Sequence, residues 1–461
     1  MLWRAPWLRH RVALMALAAW DAAAIYISYN LTYLVRIGRW EGFSLGLAVL
    51  GATWLSASYL IGRYSPPEES EGNKTRYLGK ILLAAGAVIV VFVGHSWAYQ
   101  IVDAQTRLRG FLIPLIGSIC SISIFGHGAM LAMARSRRRW ILVAYEEERD
   151  VVLEEIELQD GRHKSIIVTN AEDAIKRIND TKREATGLAV GSVGGNEQKD
   201  VECLLRLREK GECVIPLISW CETELQRIPP ELVHPEWLIQ AEGFGLRPGS
   251  YSWRIKRLGD VIGAFFLIGL TAPVIIVAVI SVWLEDRGPV FYKQKRSGLF
   301  GKPILIWKIR SMRVNAEEKG AQWASRMDVR ITRVGKLIRA TRIDELPQLF
   351  SVLKGDLSLI GPRPERPEIE EELERKIANY RMRHWIRPGL SGWAQVCFPY
   401  GASVSDSRMK LSYDLFYLRN ANWALDLLIT MKTIRLVVSG RGSAPNQQVR
   451  GDRLMSHGQH G

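Results

Sequence analysis

Two adjacent carboxylates, Asp344 and Glu345, lie in the chain's densest cluster of candidate catalytic motifs, with Arg339 and Arg342 just before them and Arg363 after them. Successive residues on a helix point about 100° apart, so the two carboxylates are expected to have different roles. One can act as a nucleophile or metal ligand, while the other orients it or moves a proton. The spacing alone leaves a second interpretation open, in which both only complement a helix dipole.

The residues around this pair predict the start of a helix. Thr341, three residues before Asp344, resembles a capping box; Pro347 fits an early helical turn and Gly355 fits the C-terminal stop. A helix N-terminus attracts phosphate. We therefore expect this end, with Arg339 and Arg342, to hold Asp344 in its ionised form.

The whole-chain composition narrows the class of protein. The 461 residues are 48% hydrophobic and carry a formal net charge of +15. The length indicates two or three domains, and the positive charge indicates an anionic partner. That partner could be nucleic acid, an anionic membrane surface or a phosphate-rich substrate. The five cysteines show neither metal-ligand spacing nor a disulfide framework, so reduced structural thiols are expected.

Four apolar segments occupy the first third of the chain, at residues 12–35, 43–61, 81–101 and 111–134. Each is near the roughly 20 residues that span a bilayer. Arginine and lysine, Arg63 among them, are concentrated before the first, between the second and third, and after the fourth segment. This predicts a four-helix transmembrane bundle over residues 1–139 with both ends in the cytoplasm. Asp21, inside the first segment, could mark a ligand pathway or be paired within the bundle.

Residues 140–248 have the pattern of a soluble α/β domain. Short apolar strands at 141–144, 165–168, 187–190 and 214–218 alternate with charged helical stretches, which suits a Rossmann-like parallel sheet. The first strand runs into the acidic residues 146–148, whereas a dinucleotide site needs a glycine-rich turn there. The glycine-rich turn at 191–195 is only a weak indication of a nucleotide site, since such a turn is more often a plain loop. We predict a domain without a dinucleotide motif.

A fifth hydrophobic run, at residues 258–284, has basic residues on both sides and Pro273 in its middle. A spanning helix would place one basic flank outside, against the positive-inside rule. A break at Pro273 would let the helix enter and return on the same face, and this re-entrant arrangement is preferred over a tilted spanning helix. The polar tail at residues 441–461 is expected to be disordered.

Taken together, residues 249–440 resemble the bacterial sugar transferase family, the monotopic phosphoglycosyl transferases. The motifs that carry the resemblance occur in the family's order: KRLGD at 256–260, GPVFYKQKRSG at 288–298, KIRSM at 308–312, DELPQL at 344–349, GPRP at 361–364, RPGLSGW at 387–393, and YDLFY at 413–417 followed by Asp426. The four-helix front and the α/β middle are similar to those of the large, three-part members.

The resemblance implies a catalytic reaction and its site residues. Asp344 would attack the sugar-bearing phosphate of a UDP-sugar, releasing UMP, and polyprenyl (undecaprenyl) phosphate would then take up the sugar 1-phosphate. Glu345 would position Asp344 or accept a proton, and Mg²⁺ touching Asp344 would neutralise the diphosphate. The implied substrate-binding residues are Arg339 and Arg363, with Lys308, Arg310, Arg387 and Asp414 as further candidates.

The same resemblance implies the surroundings of the enzyme. Its place is the bacterial inner membrane with the catalytic domain on the cytoplasmic face, at the first membrane step of exopolysaccharide, capsule or O-antigen synthesis. Lysines such as Lys293, Lys295 and Lys302 would meet anionic lipid headgroups. No nucleic-acid partner is expected, because the basic residues lack interleaved aromatics. A homodimer is an open expectation, and a non-catalytic membrane scaffold is the competing hypothesis.

Overall fold

The computed structural model describes residues 11–64, 74–98, 108–134, 139–158, 164–168, 173–174, 176, 185–191, 198–246, 248–314, 330–398 and 403–438. The predicted tail at 441–461 lies outside these residues. The chain forms two compact units, residues 1–138 and residues 139–461.

Among the described residues of the first unit, four helices share one hydrophobic core. Each helix contributes buried side chains to this core, for example Tyr29, Trp54, Ala84 and Leu115. A side-chain cap defines the start of the second helix, where the Ser44 hydroxyl accepts a hydrogen bond from the Leu47 amide. The helices are α1 (Val12–Ile37), α2 (Leu45–Ile61), α3 (Lys74–Ala98) and α4 (Leu108–Ala134).

Asp21 is paired inside this unit. Its carboxylate lies 3.1 Å from the Arg63 guanidinium, and both side chains are fully buried. It also accepts hydrogen bonds from the hydroxyls of Tyr64 (2.7 Å) and Ser123 (2.6 Å). The interpretation of Asp21 as a paired residue is therefore the one that the structure favours. Arg63, which the sequence pattern counted as an exposed basic flank, is instead the internal counter-ion.

In the part of the chain that the structure describes, two helices are long and apolar enough to cross a membrane, within residues Leu14–Ile37 and Tyr251–Asp286. The other three helices of the first unit have shorter apolar stretches among the described residues, Leu45–Ile61, Gly79–Val91 and Phe111–Gly126. The predicted segment at 81–101 runs beyond the described part of α3.

The second unit begins with a four-stranded parallel sheet in the order β2-β1-β3-β4. The strands occur where the apolar pattern predicts them. The fourth is shorter than the predicted 214–218, because it ends at Pro216, the N-cap of a short helix that starts at Leu217. Ile141, Val143, Leu188 and Val190 form its core with Leu207 from a flanking helix. The elements are β1 (Arg139–Val143), α5 (Glu146–Glu157), β2 (Lys164–Val168), β3 (Ala185–Val190), α6 (Gln198–Glu209), β4 (Val214–Pro216), α7 (Leu217–Trp220) and α8 (Pro235–Gln240).

A buried charged cluster joins this α/β region to the C-terminal part of the same unit. Glu155 is almost fully buried and pairs with both Arg227 and Arg408. Arg408 also donates hydrogen bonds to Glu231, at 2.6 and 2.9 Å. Because buried charges are costly unless paired, this cluster fixes how the two regions pack.

The fifth hydrophobic run forms α9 (Tyr251–Asp286), which the structure assigns as one 36-residue α-helix with Pro273 inside it. It begins seven residues before the predicted start at 258 and continues helically through the proline instead of breaking there. Both halves pack on the same body. Ala264 lies in a core with Ile306 and Val352, and Ala278 lies in a core with Ile309 and Ile338.

Short elements complete the unit around α9. The antiparallel strands β5 and β6 form a hairpin, and β7 and β8 form a parallel pair. In chain order the elements are β5 (Phe291–Ser297), β6 (Pro303–Ile309), α10 (Arg333–Ala340), α11 (Gln348–Lys354), β7 (Ser358–Ile360), α12 (Pro367–Lys376), β8 (Gly389–Ser391), α13 (Trp393–Cys397), α14 (Val404–Asn420) and α15 (Trp423–Val438).

Candidate functional site

Asp344 and Glu345 lie in a single 3₁₀ turn, Ile343–Glu345, between α10 and α11. Arg342, just before this turn, has a left-handed backbone (φ 55°, ψ 22°), a conformation that costs a non-glycine residue about 1 kcal/mol or more. The chain thereby reverses sharply after α10. The predicted capping box is wrong, because the Thr341 hydroxyl donates back to the Leu337 carbonyl at 2.8 Å. The helix stop at Gly355 is confirmed: its φ is 98°.

Glu345 is surrounded by cations. Its carboxylate lies 3.2 Å from the Lys308 ammonium, 3.5 Å from the Arg342 guanidinium and 2.5 Å from that of Arg363, which contacts both carboxylate oxygens. Burial alone would raise the pKa of Glu345, but Arg363 and Lys308 hold it well below its usual range. Glu345 is thus a permanently ionised group whose oxygens are already occupied.

Asp344 is in a different state. Among the residues that the structure describes, none donates a hydrogen bond to its carboxylate. Burial, with the negative charge of Glu345, raises the pKa of Asp344 from 3.8 to about 6, despite the nearby cations Lys308, Arg339 and Arg363. Arg342 pairs with Glu345, and burial outweighs the attraction of the cations for the Asp344 carboxylate. At neutral pH Asp344 is still mostly deprotonated and has a free oxygen.

Arg339 lies in the last turn of α10 and acts on Asp344 only through its charge. In the part of the chain that the structure describes, no acidic side chain forms an ion pair with it. An arginine in this position can bind a phosphate without first giving up a partner.

A polar cleft of about 220 Å³ opens next to these residues. Arg342 and Arg363 form one side of it, and Lys410 and Asp414 from α14 form another. Asp414 pairs with Arg383 at 3.1 Å. Burial raises the pKa of Asp414 to about 6, although Arg383 opposes this. The cleft is therefore rich in cations and suits a ligand with several phosphate charges.

Two of the predicted substrate-binding residues lie elsewhere. Arg310 contacts Asp286 at the C-terminal end of α9. The Arg387 guanidinium lies 4.4 Å from the centre of the Trp253 ring, near the N-terminal end of the same helix. Both arginines hold the two ends of α9, and the structure does not bring them together with Glu345. The sequence reasoning also missed Arg383 and Lys410, which occur in no motif and reach the cleft only through folding.

Close backbone contact between β7 and β8 positions Arg363. A Cβ atom on Gly389 would lie 2.1 Å from the Gly361 nitrogen, so neither strand tolerates a side chain there. The Gly361 amide donates to the Ser391 carbonyl at 2.8 Å, and the Gly389 amide donates to the Pro362 carbonyl at 2.8 Å. The glycines of the GPRP and RPGLSGW motifs thus bring the segment carrying Arg363 onto the site.

Comparisons with known proteins identify the family to which the C-terminal part of the chain is similar. The family model described as bacterial sugar transferase matches residues 251–440. An uncharacterised sugar transferase EpsL of Bacillus subtilis is 39% identical over 204 residues, which cover 44% of this chain and 97% of that protein. The chain belongs to the bacterial sugar transferase family.

Relatives named for particular reactions match the same region. A UDP-N-acetylgalactosamine-undecaprenyl-phosphate N-acetylgalactosaminephosphotransferase of Aeromonas hydrophila is 47% identical over 189 residues, covering 41% of this chain and 45% of that protein. A UDP-glucose:undecaprenyl-phosphate glucose-1-phosphate transferase of Klebsiella pneumoniae is 39% identical over 181 residues, covering 39% of each chain. The matched region therefore spans less than half the length of these two relatives.

A magnesium ion fits the site in one way only. Among the described residues no three His, Cys, Asp or Glu side chains converge on a metal site, and the Glu345 oxygens are occupied by Lys308, Arg342 and Arg363. Of the two carboxylates in the turn, Asp344 is the one with a free oxygen among the described contacts. Mg²⁺ is commonly held by one or two carboxylates together with substrate phosphates, so the residues suit an ion that arrives with a diphosphate.

Proposed function

We propose that the protein transfers a sugar 1-phosphate from a UDP-sugar to polyprenyl (undecaprenyl) phosphate through a covalent intermediate on Asp344. In the first step an Asp344 oxygen attacks the sugar-bearing phosphorus, and the bond from that phosphorus to the UMP oxygen breaks. In the second step an oxygen of polyprenyl phosphate attacks the same phosphorus. Asp344 is then the leaving group, and the product is a lipid diphosphate sugar.

The observation that carries this proposal is the contrast between the two carboxylates. A nucleophile needs a free, ionised oxygen, and Asp344 has one, while Glu345 is held by three cations. Glu345 keeps Lys308, Arg342 and Arg363 next to Asp344, where they can stabilise charge that develops on the transferring phosphate. The role of Glu345 is thus to orient the cations around the nucleophile.

Arg339, which acts on Asp344 through its charge, and the cations that line the polar cleft would together bind the phosphates of the donor. Arg339 has no competing partner among the described residues, and Arg363 keeps guanidinium N–H groups beyond those on Glu345; both suit bidentate contact with phosphate. Bound Mg²⁺ would neutralise diphosphate charge and stabilise the leaving UMP phosphate. Asp344 is the one residue suited to touch it.

We further propose that α1–α4 form a transmembrane bundle and that α9, which stays helical through Pro273, bends at this proline so that it enters the membrane and returns to the cytoplasmic face of the inner membrane. Support comes from the core clusters of α9: Ala264 shares one with Ile306, and Ala278, 14 positions further on, shares another with Ile309, and both isoleucines belong to strand β6. A spanning helix would have its two ends on opposite sides of the membrane. Reaction at this face would start exopolysaccharide, capsule or O-antigen synthesis.

The test is UMP release from purified membranes given polyprenyl phosphate, Mg²⁺ and a panel of UDP-sugars. UDP-N-acetylgalactosamine comes first in the panel. Relatives that are 47% and 50% identical to this chain over the matched residues are named for N-acetylgalactosamine, whereas relatives named for glucose are 36–39% identical. We expect lipid-dependent release that Asp344→Asn abolishes, together with a sugar-phosphate adduct on the Asp344 peptide of the wild type.

Asp356→Asn is the matched control, because Asp356 pairs with Lys354 just after α11 and lies outside the site. It should release UMP at the wild-type rate. Release that Asp344→Asn leaves undiminished would rule out Asp344 as the nucleophile. No release with any sugar would favour the non-catalytic scaffold.

A further inference from the structure

A second opening meets the polar cleft at the reactive turn. It is a narrow groove of about 60 Å³, compared with about 220 Å³ for the cleft, and both openings are lined by Arg342 and Gln395. Away from this junction the groove has apolar walls made by Leu390, Val396 and Leu436. Its inner end is at Glu345, next to the nucleophile.

Hydrogen bonds within the fold pair several of the polar groups that line the groove. The hydroxyls of Ser391 and Thr433 hydrogen-bond to each other at 2.6 Å. The Gln395 amide nitrogen donates to the Leu390 carbonyl at 3.1 Å. The Gln395 side-chain oxygen has no hydrogen-bond partner among the described residues, but Gln395 lies at the junction with the polar cleft. Beyond that junction the paired Ser391 and Thr433 hydroxyls and the aliphatic side chains offer an apolar ligand a contact surface with little desolvation penalty.

The groove continues outward onto an exposed apolar surface. Val437, which lines it, is 50% exposed, and Val438 is 65% exposed. Other large apolar side chains are exposed along the same helix, α15, at Leu427, Met431 and Ile434. The groove lining therefore reaches the exposed end of α15 at Val437 and Val438, whereas Leu427, Met431 and Ile434 lie outside the groove on a surface suited to general contact with hydrocarbon.

We infer that this groove binds the isoprenoid chain of the lipid acceptor and guides its phosphate to Arg342. The inference rests on the proposed function, in which Asp344 must meet a charged nucleotide and then a phosphate with a long apolar tail. The two openings differ in the same way: cations line the cleft, while aliphatic side chains line the groove. An isoprenoid chain in the cleft would bury arginine and lysine, and a nucleotide in the groove would lose its hydration without a partner. The narrow groove also fits a thin chain better than a ring system.

The experiment compares two positions on α15 with equal exposure. Val437 lines the groove at 50% exposure, and Ile434, at 52% exposure, does not. We expect Val437→Gln to raise the KM for undecaprenyl phosphate about tenfold, while Ile434→Gln leaves it unchanged. The KM for a short, water-soluble isoprenyl phosphate should change less, because such a chain fills less of the groove. Neither variant buries the new amide, so folding should be preserved.

A second readout separates this inference from the proposed function. The first chemical step needs no acceptor, so the single-turnover burst of UMP should be the same in wild type, Val437→Gln and Ile434→Gln. Equal rises in acceptor KM for both variants would show general membrane contact and overturn the groove assignment, as would no rise in either. Absence of the burst in the wild type would instead count against the covalent mechanism itself.

Discussion

Replacing Asp344 by asparagine should abolish transfer and yet stabilise the folded protein at neutral and alkaline pH. Burial and the adjacent Glu345 raise the pKa of Asp344 from 3.8 to about 6. A pKa difference of about two units between folded and unfolded states corresponds to about 3 kcal/mol. Because the side chain is partly accessible to solvent, screening should reduce the measurable gain in the free energy of unfolding to about 1–2 kcal/mol.

The sign and the pH window follow from the direction of this shift. The folded protein holds the proton more tightly than the unfolded chain does, so ionised Asp344 destabilises the fold. This penalty is fully present above pH 6 and absent below about pH 4, the usual pKa of an aspartate. Asparagine cannot ionise. The stabilising effect of Asp344→Asn should therefore be largest at pH 8 and disappear towards pH 4.

Thermal unfolding in lipid nanodiscs, followed by tryptophan fluorescence at several pH values, measures this effect. We expect Asp344→Asn to raise the midpoint at pH 8 by roughly 2–5 °C. Glu345→Gln is the matched control and should lower the midpoint, because it leaves Lys308 and Arg363 without their buried counter-charge. A lower midpoint for Asp344→Asn at pH 8, or a gain that persists undiminished at pH 4.5, would refute this account of the site.

Three further predictions concern the site and its support. UMP release should fall on acidification with a midpoint near pH 6, the pKa of Asp344. In the same assay Glu345→Gln should move that midpoint to lower pH, because the substitution removes a negative charge next to Asp344. Arg339→Ala should reduce kcat/KM for the UDP-sugar about tenfold or more, whereas Lys336→Ala, on the exposed side of the same helix, should not. Glu155→Gln should lower the thermal midpoint, because Arg227 and Arg408 lose the carboxylate that they share, at a cost of about 3 kcal/mol in the free energy of unfolding. A midpoint equal to that of the wild type would contradict the structural role of this cluster.

The elements of the fold that local pattern controls could be predicted from the sequence. The four N-terminal helices and the four strands of the parallel sheet occur where apolar periodicity places them, because burial of one face is decided within each segment. Arg63 shows the limit of this reasoning. As a basic residue next to an apolar segment it resembles a solvent-exposed flank, and only the position of Asp21 on another helix makes it an internal partner.

The composition of the site was predictable, but its pairing was not. Lys308 is 37 residues and Arg363 is 18 residues from Glu345, so their convergence depends on the β5–β6 hairpin and on the approach of β7 to β8. Arg310 and Arg387 belong to equally distinctive motifs, yet they contact the ends of α9. A motif therefore identifies residues that the fold requires without separating those that meet substrate from those that hold the helix.

The left-handed backbone of Arg342 contributes to the different roles of the two carboxylates, together with the strands that bring Lys308 and Arg363 to the site. At this turn Glu345 lies among three cations, whereas no described residue donates a hydrogen bond to Asp344, so neighbouring residues of the same chemical type acquire opposite pKa shifts. The ion pair of Arg342 with Glu345 helps to offset the strain of that conformation. The same group that orients the cations thus also holds the turn that keeps Asp344 free, which is why removing the charge of Glu345 should impair both stability and transfer.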